Sequence, residues 1–117
     1  MAVFLQEPGH ERVEEILHGS TISTVNLAET VNKLVLRGSS TEAVQDALLK
    51  LNITAEDWSQ EMAYGSAEFT PFNKSHGLSL GDRACLTLAK QLHATAVTSD
   101  RTWRRVPSLG VRIMIFR

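Results

Sequence analysis

The stretch Leu78-Ser79-Leu80-Gly81-Asp82-Arg83-Ala84-Cys85, followed shortly by Val97-Thr98-Ser99-Asp100-Arg101, decides how this chain folds. The first run opens a helix predicted over Leu80 to Leu92. On a wheel of about 100° per residue, Cys85, Leu88, Ala89 and Leu92 form its core stripe, with Arg83, Thr87, Lys90 and Gln91 on the opposite arc. The second run closes an apolar strand, Ala94 to Thr98, and sets Asp100 just beyond its carboxyl end. A patterned helix running into a short apolar strand is the repeating unit of an α/β protein.

The same alternation extends in both directions. Upstream, Met1 to Glu7 has helical character and stops at Pro8-Gly9. Glu11 to His18 is a short helix with Val13, Ile16 and Leu17 on one face. Thr21 to Thr24 is β-branched and short, a strand, and Val25 to Leu36 is a helix ended by Gly38. Thr41 to Leu51 follows, with Val44, Ala47, Leu48 and Leu51 at core spacing. Ile53-Thr54 reads as a stub of strand, and Glu56 to about Phe69 as a helix stopped by Pro71. Downstream, a turn of helix around Arg101 to Arg105 precedes a strand over Val111 to Phe116. No tight hairpin signal joins the strands, so the sheet is expected to be mostly parallel and covered on both faces. Binding crevices in such sheets lie beyond the carboxyl ends of the strands.

The 117 residues suffice for one domain with its own core, and neither repeat nor linker divides them. A lone cysteine, Cys85, fits a reducing cytoplasm and reads as core. The Met1 to Leu5 run is too short for a signal peptide or a membrane span. A net charge of −1 argues against a surface coated with phosphate-binding cations, although 12 basic residues can still line a groove. His10, His18, His76 and His93 lack ligand spacing for zinc, and no Walker A or GxGxxG loop is present.

Three acids stand near element ends. Asp82 flanks the apolar stripe of its helix, and it also completes a capping box from Ser79. Asp100 follows a strand and equally fits an N-cap. Glu29 lies at the margin of an apolar arc, four residues before Lys33, a spacing that suits a boundary salt bridge. Asn26 shares its edge. Together the acids have a second logic: clustered carboxylates repel unless a cation neutralises them, and oxygen-only ligands favour Mg2+ or Mn2+. Arg101, Arg104 and Arg105 around Trp103 suggest either a lip for phosphates and a stacked base or a solvated helix end with Trp103 turned inward. Arg83 projects away from its helix core.

The blocks Leu5-Gln6-Glu7-Pro8-Gly9, Ser23-Thr24-Val25-Asn26-Leu27-Ala28-Glu29, Gly77 to Leu86 and Val97-Thr98-Ser99-Asp100 resemble PIN-domain proteins, specifically VapC-type toxin ribonucleases of bacterial toxin–antitoxin pairs. The resemblance covers essentially the whole chain, and the block around Asp82 is its most specific part. It implies a three-layer α/β/α fold and a Mg2+- or Mn2+-dependent ribonuclease in the cytoplasm. Glu29, Asp82 and Asp100 correspond to metal-binding acids of the family. Asn26, Thr98, Arg83, Arg101 and Arg104 are the expected RNA contacts. A VapB-type antitoxin and a homodimer are the implied partners, with Val35, Leu48 and Trp58 as candidate interface residues. Family members begin with a central strand ending in an Asp, which would precede Met1. The expectation is therefore a single domain over residues 1–117 lacking that strand, with a gap or exposed edge in mid-sheet and weak nuclease activity. The alternative is a non-catalytic relative that binds an antitoxin or RNA.

Overall fold

Ser23 is at once the last residue of a strand and the cap of the helix after it, and this loop-free junction sets the geometry of the N-terminal half. The computed structural model describes residues 15, 17–72, 77–98, 103 and 110–115. These fall in two compact units, Met1–Asp57 and Trp58–Arg117, each described by itself. The helix expected over Met1 to Glu7 lies outside the described residues, as do most of the helix expected over Glu11 to His18 and, Trp103 apart, the turn around Arg101 to Arg105.

The first unit runs β1 (Thr21–Ser23), α1 (Thr24–Leu36), α2 (Thr41–Lys50) and β2 (Thr54–Glu56). The Ser23 hydroxyl accepts the Val25 N–H at 3.2 Å, satisfying an amide the helix leaves open. Strands β1 and β2 pair in parallel, Thr21 opposite Thr54 and Ser23 opposite Glu56, with the two helices as the crossover. Leu34 and Val44 are buried, each 2% exposed, where α1 and α2 pack. Gly38 ends α1 at φ +104°, with Ser39 N–H donating to the Leu34 carbonyl and Gly38 N–H to that of Val35. Asn52, at φ +54°, closes α2 with the same pair of bonds to Leu48 and Leu49.

The second unit contains α3 (Gln60–Gly65), a 3-10 turn (Ser66–Phe69), α4 (Leu80–Gln91), β3 (Ala96–Thr98) and β4 (Ile113–Ile115). Strands β3 and β4 are also parallel, Ala96 opposite Ile113 and Thr98 opposite Ile115. Phe69, Leu78, Leu86, Ala89, Ala96 and Trp103 form the core, with Phe72, Cys85, Val111, Ile113 and Ile115 packed around it. Full burial of a side chain such as Leu86 contributes about 1.5–3 kcal/mol. His93, at φ +51°, ends α4, with Ala94 N–H donating to the Ala89 carbonyl.

The fold is α/β with parallel pairing, as expected, and the four described strands form two two-stranded sheets, β1–β2 and β3–β4. Several expectations are corrected. Glu56 belongs to β2, and α3 starts at Gln60 because the Ser59 hydroxyl accepts the Met62 N–H at 3.1 Å. Tyr64 on α3 is 77% exposed. Helix α4 is buried on more than one side, against α3, the 3-10 turn and β3. Thr87, placed on the solvent arc by the wheel, is therefore buried, and its hydroxyl donates to the Arg83 carbonyl at 2.7 Å. Leu92, assigned to the core stripe, caps the helix and is 49% exposed.

Candidate metal and nucleic-acid site

Because α1 begins directly on Ser23, its first two turns carry Asn26 and Glu29 just past the carboxyl end of β1. Glu29 is exposed, and its Oε1 accepts the Asn26 side-chain amide at 3.3 Å. The ion pair expected between Glu29 and Lys33 does not form: the carboxylate turns back along the helix to Asn26 instead. Glu29, Thr30, Lys33 and Leu34 line an open depression of about 330 Å³. The sequence reading missed this depression, since the four-residue spacing suggested a neutralised pair rather than two separate charges.

Asp82 sits in the first turn of α4, half-buried. Its Oδ2 accepts the Ser79 N–H at 3.0 Å, while its own N–H donates to the Ser79 hydroxyl at 3.2 Å, a complete capping box. The negative charge also suits the helix N-terminus. Arg83, expected to be free for RNA, is half-buried, and its Nε donates to the Ser79 carbonyl at 3.3 Å. Four of its five N–H donors remain outside that bond. Cys85, three residues on, is half-buried against the core, and its thiol is pushed up from 9.0 to about 11, first by burial and then by the charge of Asp82. A thiol held protonated in this way is packing, not a nucleophile.

Thr98 closes β3, half-buried. Asp100, Arg101 and Arg104 lie outside the described residues. Trp103 is 3% exposed and part of the core, so its ring is not available to stack a base. Its indole N–H has no hydrogen-bond partner among the described residues. Glu29 thus belongs to the first unit, and Asp82 and Thr98 to the second.

Carboxylate oxygens suit a hard divalent cation. The capping box uses one oxygen of Asp82 and Asn26 uses one of Glu29, so among the described residues each acid keeps an uncommitted oxygen, and the donor chemistry of both fits such an ion. Among the described residues no three His, Cys, Asp or Glu side chains are grouped so as to hold a metal. No described helix is long and apolar enough to cross a membrane.

A family model of the PIN domain matches residues 1–109. No curated protein matches the sequence. Among solved structures the chain is similar to a chain in the crystal structure of VapBC2 from Rickettsia felis bound to a DNA fragment from their promoter. The identity is 19% and the TM-score 0.65, over 97% of this chain and 89% of that one. At that identity the likeness concerns the fold. The family match takes in Asn26, Glu29, Asp82, Thr98 and Asp100, and the chain belongs to the PIN-domain family.

Proposed function

We propose that this PIN-domain chain is a Mg2+- or Mn2+-dependent endoribonuclease of the VapC toxin type, hydrolysing RNA phosphodiester bonds. Glu29, Asp82 and Asp100 supply the carboxylates that hold the ion. The ion contributes charge at the phosphodiester and lowers the pKa of an attacking water. Asn26 fixes the rotamer of Glu29 through the bond to Oε1, leaving the other oxygen for the ion. The Ser79 cap does the same for Asp82, holding one oxygen and fixing the carboxylate at the head of α4. Arg83, Arg101 and Arg104 contact phosphates, and Asn26 and Thr98 line the substrate path. The chain acts in the cytoplasm as a homodimer, as a single domain, and is restrained by a VapB-type antitoxin.

The observation that carries the reading is Asp82, whose carboxylate is rigidly capped yet half-used, in a chain matched to the PIN family over residues 1–109. The test is cleavage of a mixed single-stranded RNA pool with Mn2+. The assay compares the chain with its Asp82→Asn and Glu29→Gln variants. Mn2+-dependent cleavage by the chain, lost in both variants, is the expected result. No cleavage by the folded chain would overturn the nuclease reading in favour of a PIN-fold binding protein.

A further inference from the structure

The depression on α1 pairs a carboxylate that is already engaged with an ammonium that is not. Glu29 and Lys33 stand one turn apart, with Thr30 between them and the buried Leu34 as an apolar floor. Side chains at this spacing are close enough to neutralise each other. They do not, because Asn26, one turn earlier, donates to Glu29 Oε1 at 3.3 Å. Among the described residues Lys33 has neither an ion pair nor a hydrogen bond, unlike Lys90, which is paired to Glu68. The depression therefore offers a free cation and a hydroxyl within about a helical turn of an acid.

We propose that Lys33, assisted by the Thr30 hydroxyl, is a phosphate-binding residue for the RNA strand. It holds the backbone phosphate that lies against Glu29. This proposal rests on the reading of Glu29 as part of the nuclease site. The physical need is specific: an uncompensated Glu29 repels a phosphodiester, and a cation one turn away offsets that repulsion without consuming the carboxylate. Lysine suits the task as a compact point charge on a flexible stem, which follows a backbone phosphate without demanding a base. The contact is accordingly independent of sequence.

Binding of a short fluorescein-labelled oligouridylate, measured by anisotropy in EDTA from about 50 to about 200 mM salt, tests the assignment without requiring turnover. Each phosphate contact on a single strand contributes about 0.7 to the slope of log K against log salt. Lys33→Gln is expected to reduce the slope by about that amount and to weaken binding about five-fold at ~0.1 M salt. Lys33→Arg should restore most of both, and Lys50→Gln, at the end of α2, should change neither. In the cleavage assay Lys33→Gln should raise KM while leaving kcat nearly intact. Oligouridylate binding by the unaltered chain with an unchanged slope in Lys33→Gln would overturn the Lys33 assignment alone. No oligouridylate binding by the unaltered chain would overturn both the assignment and the RNA reading on which it rests. A Lys33 effect on binding without cleavage by the unaltered chain would uphold the phosphate contact and remove the nuclease step.

Discussion

Replacing Asp82 separates what its carboxylate does for the helix from what it does for an ion. In Asp82→Asn the amide oxygen can still accept the Ser79 N–H, now at 3.0 Å from Oδ2, but the charge is gone. The loss is the charge assistance of that bond plus the helix-terminus interaction, together about 0.5–1 kcal/mol for a half-buried first-turn acid. Asp82→Ala also removes the acceptor and opens the capping box, for about 1–2 kcal/mol. With an unfolding entropy of about 2.1 cal/mol/K per residue, a chain of 117 residues loses about 4 °C in Tm for each kcal/mol. Thermal melts followed by far-ultraviolet circular dichroism in EDTA should thus show Asp82→Asn about 2–4 °C lower and Asp82→Ala about 4–8 °C lower. Repeating the melts in Mn2+ should raise the Tm of the unaltered chain and leave both variants where they were, because only an ion bound to the folded state stabilises it. A drop well beyond ~10 °C for Asp82→Asn would mean that the carboxylate has a structural partner other than the cap. An equal Mn2+ response in all three proteins would refute a ligand role for Asp82.

Further outcomes rest on the packing. Cys85 keeps its proton in the folded state between its ordinary 9.0 and about 11, whereas the unfolded chain releases it. The unfolded state then binds fewer protons, so stability falls as pH rises through that window, by up to about 2 kcal/mol. Urea titrations from pH 8 to about 11 should show a shallower loss in Cys85→Ala than in the unaltered chain. Leu86→Ala empties a fully buried position between α4 and the core and should cost about 2–5 kcal/mol in the same titrations. Ser40→Ala removes the hydroxyl that accepts the Ala43 N–H at 3.1 Å and should cost about 1 kcal/mol, with no change in RNA binding.

The sequence was most legible where one local rule acts alone. Gly38 after α1, Val44 at core spacing and the Ser79–Asp82 box all behave as their patterns indicate, because each depends on residues within one turn. Legibility fell where two rules compete for the same group. Glu29 had Lys33 ahead of it and Asn26 behind it, and spacing alone could not say which would hold the carboxylate. It fell again where the surroundings of an element matter. The wheel treats a helix as having one dry face, but α4 meets α3, the 3-10 turn and β3, so Thr87 is covered and satisfies its hydroxyl within the helix. The left-handed ends at Asn52 and His93 carried no glycine to announce them. The candidate acids stood out by their places near element ends, but pattern alone left cap and ligand open for each, because a capping acid and a ligand acid look alike in sequence.

The central claim is that Glu29, Asp82 and Asp100 are each ligands of a divalent ion. The most direct test is Mn2+ binding followed by electron paramagnetic resonance on the chain, on Glu29→Gln from the first unit, and on Asp82→Asn and Asp100→Asn from the second. The account predicts that each of the three substitutions weakens Mn2+ binding, by at least ten-fold or about 1.4 kcal/mol. Undiminished Mn2+ binding in Glu29→Gln alongside loss in Asp82→Asn, or no change in any variant, would contradict it.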